Sequence, residues 1–337
     1  MSAIGYMLVL AHRTHARLGI AGGTMPHVTF VHGIANKPPA EQLLDLWRRS
    51  LAAADGIDLG AEGITSSMVY WADVMYASPL AEASAESATN EAASEAMEPE
   101  PVDLGLDEMD AGERLWVAEL AAKLAVPLAV EQAAAAVAPG PVRETLERIP
   151  LPWPVKERIM KKLLRDVHHY LFDVESTPRP GDTYRVQEVI RGRMIAALQE
   201  GAAQPPPHVV VSHSMGTVIA YDCLQRVGAA PAVDGLMTIG SPLGLDEIQD
   251  KLQPEWSRDE GFPSPRLRGR WVNVYDRLDP VAGFDSRLAN DYRRGGREEI
   301  DDLNEQNHGA WRHDIGKYMA GPGLRGKLRE LLGLVGS

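Results

Sequence analysis

Five short runs constrain this chain more than anything else in it: "HVTFVHG" (27–33), "SSMVYWADV" (66–74), "HVVVSHS" (208–214), "GLMTIGS" (235–241) and "RWVNVYD" (270–276). Several are close to continuously apolar instead of alternating, which is the pattern of strands buried on both faces of a parallel sheet. Helical patterns lie between them, over 40–54, 155–174, 183–202 and 215–227. Strands that alternate with helices predict an α/β fold in which a central, mostly parallel sheet is flanked by helices.

The interval 79–150 breaks that rhythm. Residues 81–110 carry ten acidic residues and no basic one, a composition that stays solvated and partly disordered. An unusually apolar helical tract follows over 112–138, with Pro127 expected to kink or split it. The expected organisation is a core formed by 25–78 and 151–325, an acidic and helical insertion over 79–150 that is either a cap or lid or an ordinary packing helix, and an irregular N-terminal extension over 1–24. With 337 residues, the chain is long enough for such a core plus insertion. Its net charge of −13 argues against nucleic acid as a partner. The single cysteine excludes an internal disulfide framework. No run of about 20 apolar residues occurs, and the apolar patch Ile4 to Ala11 has no positive stretch ahead of it. The expectation is a cytoplasmic protein without an integral membrane segment.

The third run carries the chemistry. In "SHSMG" (212–216) a strand ends at Ser214 and a helix begins. A serine on a sharp strand-to-helix turn exposes its hydroxyl and requires small residues two before and two after it. Ser212 and Gly216 occupy those places, with Ser212 adding a Cβ and a hydroxyl where glycine would add neither. The helix N-terminus also favours negative charge developing beside it. A simpler reading has Ser214 only capping that helix. Upstream, "FVHGIANKP" (30–38) places a His-Gly turn at the end of the first run. That makes the backbone N–H groups of Met215 and Ile34 the candidate oxyanion donors.

A nucleophilic serine needs a histidine and an acid behind it. Asp279, just beyond the fifth run and fixed in an extended or turn conformation by Pro280, is preferred to Asp276, which lies nearer the strand end. For the base, "NEQNHGAWRHDIGKYM" (304–319) offers His308 and His313. A helix starting near Ala310 would bury Trp311, Ile315, Tyr318 and Met319 and turn His313 toward solvent. His308, in the polar loop before it, is therefore preferred, with His313 the alternate if the helix starts later. The order is then Ser214, Asp279, His308. Adjacent His168 and His169 face different ways on a helix, and no cysteine cluster or phosphate loop occurs. Neither a metal nor a cofactor is expected.

"VHGI" (31–34), "SHSMG" (212–216), "GSPLG" (240–244), "DRLDPVAG" (276–283) and "NHGAW" (307–311) together make the chain resemble the α/β-hydrolase superfamily, on its lipase and esterase side. The resemblance spans most of 27–320, leaves 79–150 uncovered, and departs from the usual pattern at Ser212. It implies a serine hydrolase mechanism through an acyl-enzyme. The apolar tract near Trp116 to Val130 and the joint "IPLPWPV" (149–155) favour an uncharged, moderately hydrophobic ester as substrate. An acyltransferase or thioesterase would use the same triad, and a binding scaffold without catalysis is a further alternative. The sequence does not specify an oligomeric state.

Overall fold

The computed structural model describes residues 25–80, 102–137, 153–308 and 311–334. The expected N-terminal extension and most of the acidic stretch, 81–101, lie outside the described residues. In chain order the elements are β1 (His27–Val31), α1 (Ala40–Ala52), β2 (Thr65–Val69), α2 (Ala72–Met75), α3 (Ala111–Val137), α4 (Trp153–Leu171), β3 (Glu175–Arg179), β4 (Asp182–Arg185) and α5 (Val186–Ala202). They continue with β5 (His208–His213), α6 (Met215–Arg226), β6 (Val233–Ile239), a short 3-10 turn over Pro242–Gly244, α7 (Asp246–Lys251), β7 (Leu267–Tyr275), β8 (Asp301–Asn304), α8 (Ile315–Ala320) and α9 (Pro322–Leu331).

Six strands form one sheet in the order β2-β1-β5-β6-β7-β8, and every pairing in it is parallel. β1 and β5 are buried along their whole length, which explains their unbroken apolar runs. Apolar side chains lie on both faces. Val28, Phe30, Val209 and Val211 pack with Leu43 and Trp47 of α1 and with Tyr318 and Leu328 of α8 and α9. Val31 and Val210 pack in a second cluster with α5 and α6. The chain leaves β1 for β2 on one side, and later returns to β5 on the other. Crevices at such reversals, beyond the carboxyl ends of the strands, are where open α/β sheets bind ligands.

Three boundaries depart from the sequence reading. The second run stops being a strand at Val69 and turns into α2. The region read as a helix over 183–202 begins as β4, paired antiparallel with β3 in a separate two-stranded sheet. Asp182 and Arg185 are exposed, so this polar hairpin has no apolar alternation to betray it. The third departure is at α8, which starts at Ile315 instead of near Ala310 and is capped by the Asp314 carboxylate accepting the Gly316 N–H at 2.7 Å.

The apolar tract of the insertion forms one helix, α3, with Pro127 inside it. It packs on α4 and reaches α7. The Trp116 indole N–H donates to the Glu247 carbonyl at 2.8 Å. Lys123 pairs with Asp246 at 3.0 Å and Glu247 at 2.9 Å. Trp116, Leu120 and Leu124 belong to the same apolar cluster as Ile34, Met215 and Trp311. Trp153 at the start of α4 is half-exposed.

Candidate active site

Ser214 sits between the last residue of β5 and the first of α6 with φ 54° and ψ −130°. L-residues seldom adopt this backbone conformation, which costs about 1–3 kcal/mol and persists only where the surroundings hold it. Here they do. The Ser214 N–H donates to the Ile239 carbonyl at 3.0 Å. Its carbonyl accepts the Thr217 N–H at 2.9 Å and the Thr217 hydroxyl at 2.7 Å. The hydroxyl makes no capping bond to α6, so the simpler reading of Ser214 as a helix cap fails.

The small residues on either side have separate reasons. A Cβ on Gly216 would lie 2.5 Å from the Val31 carbonyl oxygen and 2.6 Å from that of His32. The elbow therefore presses directly on the end of β1, and only glycine fits. Ser212 is fully buried and donates its hydroxyl to the Met237 carbonyl at 3.2 Å. That bond provides for the polar group that serine adds at this corner.

His313, not His308, is the histidine beside Ser214. Its Nε2 lies 2.8 Å from Ser214 Oγ, and its Nδ1 lies 2.9 Å from Asp279 Oδ2 and 3.0 Å from Oδ1. All three side chains are fully buried. His308 is exposed. The sequence preference fails because the loop continues to Asp314 and turns at Trp311, which has φ 54°. This carries His313 inward while Trp311 and Ile315 are buried as expected. Gly240, at φ 55°, backs the pair. A Cβ there would come within 3.1 Å of both Asp279 Oδ2 and the His313 ring.

Asp279 is the carboxylate on the histidine, and Asp276 does different work. Asp276 accepts the Asn307 N–H at 2.7 Å, the Leu278 N–H at 2.8 Å and the Arg312 guanidinium at 3.0 Å. It thus ties the loop that precedes His313 to the end of β7. Asp279 Oδ1 accepts the Val281 N–H at 2.7 Å, and Oδ2 accepts the Tyr318 hydroxyl at 2.7 Å. Burial pushes the Asp279 carboxyl up, but His313, Tyr318 and the Val281 N–H outweigh it and hold the group below its ordinary value. Asp279 is therefore a carboxylate at neutral pH. Tyr318, pushed well up by burial and by Asp279, remains a protonated donor.

Two further histidines brace the site. His213 Nε2 donates to the His313 carbonyl at 2.9 Å, and burial holds its ring well below the usual histidine range. It faces the interior. His32 donates from Nδ1 to the Gly33 carbonyl at 2.7 Å and accepts the Trp71 N–H on Nε2 at 3.0 Å. It also stacks on the Trp71 ring. Burial, helped by Lys37, brings its pKa down to about 3. Ile34 and Met215 are fully buried, on the segments that follow β1 and β5.

These depressed histidines predict an acid response. His32, His208 (brought down to about 4 by burial, then His27) and His213 stay neutral in the fold well below pH 6.5, whereas the unfolded chain protonates there. The unfolded state then binds more protons, so stability is full above about pH 6.5 and falls as pH drops toward 4. Each such histidine contributes a slope of about 1.4 kcal/mol per pH unit inside its window. Urea midpoints should hold between pH 7.5 and about 6.5 and then decline steadily to about pH 4.5. A flat profile would contradict the neutral, buried assignment.

A family model described as the alpha/beta hydrolase family matches residues 139–332, more than half of the chain, and the matched stretch contains Ser214, Asp279 and His313. The chain belongs to the alpha/beta hydrolase family. A solved structure of an uncharacterized protein from Pseudomonas aeruginosa is similar at 11% identity and a TM-score of 0.34. The match covers 92% of this chain and 46% of that one, so this member of the family spans about half that protein's length. No curated protein matches it. Among the described residues no group of three or more His, Cys, Asp or Glu is placed to hold a metal ion, and no helix is long and apolar enough to cross a membrane.

Proposed function

We propose that this hydrolase cleaves carboxylic esters through an acyl-enzyme, with Ser214 as nucleophile, His313 as base and Asp279 as acid. The carrying observation is the unbroken hydrogen-bond line from Ser214 Oγ through both ring nitrogens of His313 to Asp279. His313 takes the Ser214 proton as Oγ bonds to the ester carbonyl carbon. Asp279 holds Nδ1 protonated, which leaves Nε2 free to accept, and stabilises the imidazolium that forms. The backbone N–H groups of Met215, at the first position of α6, and of Ile34, after β1, receive the developing oxyanion. His313 then protonates the departing alkoxide, and a water activated by the same ring releases the acid.

An uncharged, moderately hydrophobic acyl group suits the surroundings. Ile34, Met215, Leu243, Val281 and Trp311 form part of one apolar cluster that continues into Trp116 and Leu120 of α3. A charged acyl group would be desolvated there without a partner. The test is a fluorophosphonate probe, followed by peptide mapping, run beside turnover of short p-nitrophenyl esters. Label on Ser214 with ester turnover supports the reading. Absence of label and of turnover, or label on Ser212, would overturn it.

A further inference from the structure

Asp166 lies far from the elbow in sequence, on α4, yet it reaches the loop that follows β1. Its carboxylate is fully buried. Oδ2 accepts the Ala35 N–H at 3.0 Å and the Tyr76 hydroxyl at 3.1 Å. Oδ1 accepts the Arg165 guanidinium at 2.9 Å, and Arg165 lies over the Tyr76 ring at 4.8 Å. Ala35 has φ 68°, a conformation that costs a residue with a side chain free energy and needs an external hold. The Asp166 carboxylate supplies that hold.

Ile34 is consequently fixed from both sides. The peptide before it joins Gly33 to Ile34 and is trans. In a trans peptide the C=O and N–H point in opposite directions. The Gly33 carbonyl is held by His32 Nδ1, so the Ile34 N–H points away from that ring. The peptide after it, between Ile34 and Ala35, has its N–H held by Asp166. Neither plane can rotate without breaking a buried hydrogen bond, which would leave an unsatisfied group. The loop therefore holds the Ile34 N–H in one fixed direction, and a fixed donor is what preorganised stabilisation of an oxyanion demands.

We propose that Asp166 is a positioning residue for the oxyanion donor at Ile34, acting through the Ala35 N–H. The proposal rests on the ester-hydrolase reading above. Asp166 touches no reacting atom, and its effect falls on the transition state, where the oxyanion exists, instead of on ester binding.

The experiment compares wild type with Asp166→Ala and Asp166→Asn. Asn keeps an acceptor oxygen but lacks the charge, and it preserves the side-chain shape should Ala fail to fold. Loss of one oxyanion donor costs about 100- to 1,000-fold in kcat, and misplacing it costs somewhat less. Asp166→Ala is expected to lower kcat by about 30- to 300-fold, with KM for a p-nitrophenyl ester changed less than about threefold. Asp166→Asn should fall between it and wild type. The second readout is an aryl trifluoromethyl ketone, which adds the Ser214 oxygen to its carbonyl and places an oxyanion in the same position. Its Ki should rise in proportion to the loss in kcat/KM across the three proteins. A purely structural role would lower the melting temperature but leave that proportionality absent. Unchanged kcat in folded variants, or a Ki that ignores the loss, would overturn the proposal. If the wild type itself shows no Ser214-dependent turnover, the failure lies in the hydrolase reading. If wild type turns over and the variants match it, the failure lies with Asp166 alone.

Discussion

Ser214→Ala is expected to lower ester turnover by about 10⁴- to 10⁶-fold, the range found when a triad nucleophile is removed. The substitution is clean because the Ser214 side chain has one hydrogen-bond partner among the described residues, His313 Nε2 at 2.8 Å. Alanine retains the Cβ, so the strained backbone at φ 54° is neither relieved nor worsened. The bonds that hold the turn use the Ser214 main chain and Thr217, and they are untouched. Removing the hydroxyl leaves one buried imidazole nitrogen unpaired, at a cost of about 1–3 kcal/mol. The melting temperature should therefore fall by a few degrees, while activity and fluorophosphonate labelling vanish. Turnover that survives in Ser214→Ala would place the nucleophile elsewhere and remove the basis of the mechanism.

What the sequence conveys depends on how each part of the fold is stabilised. β1 and β5 are buried from end to end, so burial writes itself into unbroken apolar runs and the parallel sheet can be read directly. β8, "DDLN", lies at the sheet edge with most of its residues only partly buried, and nothing in its composition marks a strand. The elbow was readable because its constraint is local: Gly216 is dictated by carbonyls a few ångströms away. The carboxylate beside His313 stands where the sequence preference for Asp279 put it, just past β7 and before Pro280. Which histidine lies beside Ser214 was not legible, since the choice between His308 and His313 turns on where α8 begins. That start is set by the Asp314 cap, which competes with the apolar periodicity beginning at Trp311. Asp314 two residues before Gly316 is a capping signal present in the sequence, and weighing it above that periodicity would have extended the loop to His313. Asp166 had no such signal. It lies 131 residues from Ala35, and an aspartate on a helix ordinarily faces solvent.

The two histidine variants should separate by several orders of magnitude. His313→Ala is expected to reduce turnover by about 10⁴- to 10⁶-fold, because among the described residues His313 is the one hydrogen-bonded to Ser214 Oγ. His308→Ala should stay within about twofold of wild type, as an exposed side chain outside the hydrogen-bonded line has no route to the reacting atoms. The structural costs point the same way. His313 is fully buried, makes bonds at both ring nitrogens and leaves Asp279 without its main partner when removed. Asp279 keeps its bonds from Val281, Ala282 and Tyr318, so the lost hydrogen bond to a charged group costs about 1.5–3 kcal/mol and His313→Ala will also be less stable. His313→Gln, which can still donate to Asp279, separates that loss from the chemistry. It should recover much of the stability and none of the turnover, since an amide cannot take up the serine proton. Turnover recovered in His313→Gln would show that the ring acts only as a spacer. A loss in His308→Ala equal to that in His313→Ala would return the base to the exposed loop and leave the buried line without a catalytic role.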